Sequence, residues 1–306
     1  GLVKEELRAL ADEYGDKRRT AIGSGDEEVE FNPEAYIVRE DAYVLLTKDG
    51  RLKRQGSIKT LDSVRVREGD SVAIVVAGST TENVAILSNF GSIYVLRIAD
   101  VPATSGHGDP IQAMFKFADG ERAVAAFSFD PRFRPPMPVD PGPEDPPGPH
   151  LLVVSRQGYG FRFSLGAHAE ATTRSGRRYA KVAEGDEILG VLPVTGEEAV
   201  VTASAEGRVL LCPVHEVGVL AGAGRGVIVH KLSDDDSLVG FQTVLYENDV
   251  AIVEKTTGGE AKISAKEYRV SSRAGKGFEL TKRGGIVRML ARPIEVPSFE
   301  QTQGNE

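Results

Sequence analysis

From Asp41 onward, short apolar runs rich in β-branched residues alternate with polar turns. Five pairs of runs share one form: strand-like run, turn with glycine, strand-like run. They read DAYVLLTKDGRLKR, ENVAILSNFGSIYVLRI, HLLVVSRQGYGFRF, EAVVTASAEGRVLLCPV and DVAIVEKTTGGEAKIS, with turn glycines at Gly50, Gly91, Gly158, Gly207 and Gly258. Such pairs predict β-hairpins, because glycine reaches the positive φ that tight turns require. The glycines are 41, 67, 49 and 51 residues apart. The long gap contains residues 128–149, SFDPRFRPPMPVDPGPEDPPGP, whose nine prolines exclude a ladder strand and predict a disordered or extended loop. Without those 22 residues the gap is 45, and the period holds.

A period in the forties with one hairpin per unit predicts an all-β array of about five blades. A single unit cannot bury its apolar face, whereas several around an axis can. The remainder of each unit repeats as well. Acidic turns (Glu68-Gly69-Asp70, Asp119-Gly120-Glu121, Glu184-Gly185-Asp186, Asp234-Asp235-Asp236) each precede a further apolar run. Between hairpin and acidic turn lies a small-residue loop, usually with bases: TSGHGDP, TRSGRRYAK, AGAGRGVIVHK and SRAGKG. The pattern differs before residue 40. Val3, Leu7, Leu10 and Tyr14 fall on one face of a helix that ends at Gly15, and SGDEEVEFNPE reads as an acidic linker. The expected organisation is a helical arm and linker over 1–39, a β domain over 40–296 and a polar tail over 297–306.

The chain has 306 residues and formal net charge −8. Residues 1–40 contribute −5 of this, so the body is close to neutral. Its charge is nonetheless segregated. Residues 48–67 hold seven bases and two acids, 156–182 six and one, and 260–292 nine and three. One basic loop is ordinarily a solvated loop. Periodic recurrence places equivalent loops on one rim, and a basic rim whose glycines admit close approach to backbone N–H groups predicts phosphate contact. The candidate DNA contacts are Lys53, Arg54, Arg162, Arg174, Arg177, Arg178, Lys181, Arg225, Lys231, Arg273, Lys276, Lys282 and Arg283. No recognition helix is apparent, so duplex DNA without sequence preference is the expected partner.

Other chemistry is weakly represented. GAGRGV at 222–227 lacks the strand–helix context of a phosphate loop, and KTTGGE is not a Walker motif. His107, His150, His168, His215 and His230 form no pair at metal spacing, although His107 and His230 lie near the repeat loops. The Asp234–Asp236 run lacks the alternating ligands of a calcium loop. No catalytic or metal-binding residue is expected. The second reading, behind DNA contact, is a propeller-like protein-interaction scaffold, which would ignore duplex DNA. The single Cys212 lies in an apolar run, and neither a secretory leader nor an apolar stretch of membrane-spanning length is seen. A reducing, cytoplasmic, nucleoid-associated setting is the expectation, with no membrane partner.

The segments LRALADEYGDKRRT, GYGFRF, RSGRRYAK and SRAGKG, in this order among the repeated hairpins, resemble the A subunit of bacterial type IIA topoisomerases. The resemblance runs from the end of that family's DNA-gate region through its C-terminal domain. It implies a β-pinwheel whose blades exchange strands and whose basic outer rim binds and bends DNA. It also implies no cofactor here. ATP and Mg act in the parent enzyme, where the partners are the remainder of the A subunit plus an ATPase B subunit. The family's catalytic tyrosine lies in an upstream domain that is absent here. Within the family that the chain resembles, gyrase C-terminal domains typically have six blades and a Q-R-R-G-G-K-G box in the first. Here the first acidic turn follows Gly50 by 19 residues, against 27 to 29 in later units, and Gln55-Gly56 lacks the basic run. The chain therefore more resembles topoisomerase IV, with gyrase as the alternative because SSRAGKG partly mimics the box.

Overall fold

The computed structural model describes residues 1–15, 38–245 and 249–299. Two compact units are formed, Gly1–Tyr36 and Ile37–Glu306. In the first, helix α1 (Leu2–Tyr14) ends where the Gly15 N–H bonds the Ala11 carbonyl, and none of its residues is buried. The expected linker lies almost wholly outside the described residues.

Among its described residues the second unit is built of β-strands, in five sheets. Each hairpin foreseen in the sequence forms: β1 (Asp41–Thr47) with β2 (Arg51–Gln55), β4 (Asn83–Ser88) with β5 (Ser92–Arg97), β8 (His150–Ser155) with β9 (Tyr159–Ser164), β12 (Ala199–Ser204) with β13 (Arg208–Pro213), and β17 (Ala251–Lys255) with β18 (Glu260–Ile263). The apolar run after each turn supplies an inner strand on the hairpin's other side. These are β3 (Val72–Ser79), β7 (Ala123–Ser128), β11 (Ile188–Val194), β16 (Leu238–Val244) and β20 (Ile286–Met289), which pack against one another in succession.

The hairpin strands of the second to fourth sheets are buried on both faces, so they read as continuous apolar runs rather than alternating ones. Val84 and Ile86 point into the layer shared with the first sheet, while Ala85 and Leu87 point into the layer shared with the third. Among the described residues four apolar layers are formed, each between successive sheets. The fifth sheet is joined to the first differently, by a C-terminal strap. Leu290 and Arg292 carry the chain past Gln242 and Thr243. Pro297 then accepts the Tyr43 hydroxyl at 2.9 Å, and Phe299 packs edge-on against Tyr43 and Phe133. The start of the expected polar tail is thus docked.

The repeat loops link the blades by strand exchange. Each sends a two-residue strand to the outer edge of the preceding sheet: β6 (Asp109–Pro110) to β2, β10 (Arg177–Arg178) to β5, β15 (Val227–Ile228) to β9 and β19 (Phe278–Glu279) to β13. A further two-residue strand, β14 (Val219–Leu220), runs parallel to β9. Among the described residues β18 receives no such strand. The glycine that opens each exchanged segment (Gly108, Gly176, Gly226, Gly277) has positive φ. A Cβ on Gly226 would lie 2.1 Å from the Gly160 carbonyl oxygen, and one on Gly277 2.3 Å from that of Val209. The loop glycines are therefore needed to bring one blade's backbone against the next. Their packing role between blades was not expected from the sequence.

Two further expectations change. The Pro-rich segment is extended but pinned: the Val139 N–H bonds Thr195, His150 Nε2 bonds Pro146, and Ser164 donates its hydroxyl to Pro147. The acidic turns are fasteners. Asp70, Asp186 and Asp236 each accept the backbone N–H of a hairpin-turn residue, namely Asp49, Gln157 and Glu206, at 3.1, 3.0 and 3.0 Å. In the second unit Asn89 Oδ1 accepts the Arg122 N–H, and in the fifth Thr256 accepts the Gly285 N–H.

Candidate nucleic-acid interface

The cations foreseen in the sequence fall into two sets, divided by what holds their head groups. Lys53 is fully buried, and its Nζ donates to the carbonyls of Arg65 and Gly106 at 2.7 and 2.8 Å. Burial pulls its pKa below the usual lysine value. Arg162 is buried in β9, where Nε donates to the Val217 carbonyl at 2.6 Å; burial opposes its charge, and Asp145 and Glu198 partly offset that. Neither is available to a ligand, so both candidate contacts are corrected to structural roles. Period-two alternation does not hide them. They sit on strands buried on both faces, where an Arg or Lys survives by reaching carbonyls.

Three more are exposed in part but engaged. Arg54 donates Nε to Val101. Arg174 donates to Ala113 and Met114, and Arg273 to Glu216 and Ile228. Arg174 and Arg273 occupy the same place in TTRSG and SSRAG, and in both the loop residue two positions earlier bonds the hairpin strand of the neighbouring blade (Thr172 to Val95, Ser271 to Leu211). They fasten one blade to the one before it. Sequence inspection missed Arg51 and Arg208, which do the same from the first position of a hairpin strand by bonding the carbonyls of Gly108 and of Lys276 and Gly277.

The other set is exposed on exchanged strands and the turns beside them. Arg177 and Arg178 form β10, where Arg177 lies 3.9 Å from Glu170 and Arg178 bonds the Phe90 carbonyl at 3.3 Å. Lys181, also exposed, lies three residues beyond Arg178. In the next unit Arg225 stands before β15 with its guanidinium 3.6 Å over the Tyr159 ring, and Lys231 follows that strand. Lys276 stands before β19. Lys282 and Arg283, also exposed, lie instead on the turn that bonds Thr256, at the place other units fill with acids. The first sheet receives only Asp109–Pro110.

Of the two histidines beside these loops, His107 is half-buried, whereas His230 is not a solvated ligand. His230 is buried. A carbonyl can only accept, so Nε2 carries the proton shared with Lys276 O at 3.2 Å, and Nδ1 accepts the Thr202 hydroxyl at 2.8 Å. Burial pushes its pKa below the usual histidine value. Cys212 is likewise buried, with its thiol pushed up to about 12 by that burial. No group of three or more metal-ligating side chains occurs among the described residues.

A family profile described as DNA gyrase C-terminal domain, beta-propeller, matches residues 82–130, 149–195, 198–244 and 261–277, just over half of the chain. The matches open at or beside β4, β8, β12 and β18, so they follow the repeat seen in the structure.

The chain belongs to the DNA gyrase C-terminal domain family.

It is therefore the C-terminal domain of a type IIA topoisomerase A subunit. Similar sequences include the DNA gyrase A subunits of Mycolicibacterium smegmatis (26% identical, covering 99% of this chain and 38% of that protein) and of Escherichia coli K12 (28%, 90% and 31%). The chain spans about a third of the length of these relatives. Among solved structures it resembles the C-terminal domain of DNA topoisomerase IV (TM-score 0.71, 17% identity, 84% of this chain and 79% of that one) and the E. coli ParC C-terminal domain (0.65, 17%, 82% and 98%). The DNA gyrase A C-terminal domain aligns with a TM-score of 0.55 at 18% identity, covering 83% of each chain. At these identities the structural likeness concerns the fold.

Proposed function

We propose that this domain binds duplex DNA through phosphate contacts along part of its rim, bends it, and presents the bound segment to the DNA gate of a parent topoisomerase of the topoisomerase IV type. One observation carries this reading. The exposed cations Arg177, Arg178, Lys181, Arg225, Lys231 and Lys276 all lie on, or next to, the strands exchanged at the outer edges of three consecutive sheets. The first sheet's exchanged strand is acidic instead, and the fifth receives none among the described residues. The arc is therefore partial. Bending a duplex costs on the order of 1–6 kcal/mol per 20–30 bp and is offset only where contacts continue along the curve. A three-blade arc supports a bend rather than a closed superhelical turn. In the parent protein, strand passage in the cytoplasm is supplied by ATP, Mg, a B subunit plus the remainder of the A subunit; this domain contributes no catalytic group.

The gyrase reading is favoured by a separate observation, that the similar sequences from M. smegmatis and E. coli are gyrase A subunits. One experiment separates the two. Nicked circular DNA is sealed by ligase in the presence of saturating protein, and the linking number is read. The proposal expects salt-sensitive binding with little linking-number change. A large positive shift per bound domain supports gyrase-type wrapping, and absence of duplex binding refutes both.

A further inference from the structure

Among the exposed rim cations, Arg225 is the one whose guanidinium lies over an aromatic ring. Its Cζ lies 3.6 Å from the centroid of Tyr159, and Nη2 donates to Gln157 Oε1 at 3.2 Å. Tyr159 opens strand β9, and its backbone pairs with Ile228 of the exchanged strand that Arg225 precedes. The corresponding opening positions of β2 and β13 hold Arg51 and Arg208, each of which reaches outward to cap carbonyls at the exchanged turn. In the third sheet the roles are reversed. The hairpin strand offers a ring and the exchanged turn offers the cation, so the cation is held at the surface rather than consumed by the fold.

We propose that Tyr159 and Gln157 are positioning residues that fix Arg225 as a preorganised fork for a DNA phosphate, midway along the basic arc. This rests on the DNA-binding reading above. The ring immobilises the guanidinium plane, and Gln157 occupies an N–H on one nitrogen. The remaining N–H groups lie in that plane, where a phosphate can take two of them at once. Lys181, Lys231 and Lys276 have flexible stems and no comparable support, so they lose more side-chain freedom on contact.

The test is binding of the whole chain to a fluorescent duplex across a salt series. Loss of Arg225 in Arg225→Ala is expected to reduce the log–log salt slope by about 0.9, one phosphate contact. Tyr159→Leu keeps the charge and frees it, so the slope is expected to hold while Kd rises about two- to fivefold, the range of an exposed cation–π contact. Arg225→Lys, which leaves the blade intact, is expected to show the same loss at unchanged slope, and Tyr159→Phe to retain tight binding. The decisive measurement is the double variant: Tyr159→Leu in the Arg225→Ala background is expected to cost nothing further, because the ring acts only through the guanidinium. Additive losses, or an unchanged slope in Arg225→Ala, overturn this assignment alone. A wild-type chain that ignores duplex DNA overturns the functional reading with it.

Discussion

The ammonium of Lys53 lies 2.8 Å from the carbonyl oxygen of Gly106, so a lysine of the first blade holds the loop that delivers the second unit's exchanged strand. A second bond, to Arg65, ties the same head group to the first unit's own loop. Lys53→Met is expected to leave both carbonyls without a partner and to lower stability by about 1–3 kcal/mol. Urea denaturation reads this directly. The salt slope of DNA binding should stay at the wild-type value; a slope reduced by about 0.9 would return Lys53 to the interface.

Asp186 fastens the third hairpin by accepting the N–H groups of Gln157 and Glu187 at 3.0 and 2.8 Å. Asp186→Ala leaves two donors without a partner, and a loss of about 1–3 kcal/mol is expected. Hydrogen exchange should show faster exchange at these two amides than at those of β12. Unchanged protection would mean that the turn holds without its carboxylate.

Acidification should weaken the domain in two stages. Burial holds His230 below the usual histidine range, and burial together with Arg177 does the same for His168. The unfolded chain therefore takes up protons near pH 6.5 that the folded chain refuses, and stability falls as pH drops through that value. Burial alone would raise the carboxyls of Asp130 and Glu187. Arg132 and the N–H groups of Arg132 and Ser79 outweigh it for the first, and Arg122, Asn89 and Arg156 for the second, so both lie low. Their stabilisation is present above about pH 4 and is lost below it. Urea midpoints from pH 8 to 3 check both stages. A midpoint that rises between pH 7 and 5 contradicts the first.

Replacing Arg177, Arg178 and Lys181 together with glutamate should weaken duplex binding at least tenfold near 0.1 M salt and flatten the log–log slope by about 2 to 3. Stability should change little, because these side chains are exposed and their contacts are peripheral: Arg178 bonds the Phe90 carbonyl and Arg177 stands 3.9 Å from the exposed Glu170. Circular dichroism and the salt series together decide this. Unchanged affinity would make this loop an ordinary solvated one.

Phe299 anchors the strap between last and first blades. Its ring meets Tyr43 at 5.0 Å and Phe133 at 4.9 Å, and the Arg132 guanidinium stands 5.4 Å from it. Phe299→Ala is expected to lower stability by about 1–3 kcal/mol and to increase amide exchange in β1 before β12. Equal protection across both strands would show that the strap bears no part of the contact between terminal blades.

The five hairpins, their period and the proline-rich break were legible in the sequence, because turn glycines and apolar runs act through neighbours only a few residues away. The repeated small-residue loops and acidic turns were legible as repeats but not in their roles. Gly226 is required by the carbonyl of Gly160, and Asp186 by the N–H of Gln157, partners 66 and 29 residues away that no local pattern marks. The same holds for charge. Arg174 and Arg177 are two residues of one basic loop, yet one is held by carbonyls of the preceding unit and the other is open to solvent. The sequence determined that cations gather in the loops of the third, fourth and fifth units. Only the tertiary structure decided which of them fasten blades together and which face outward, because any backbone carbonyl can accept an Arg or Lys, whatever residue carries it, and only the folded path brings that carbonyl within reach.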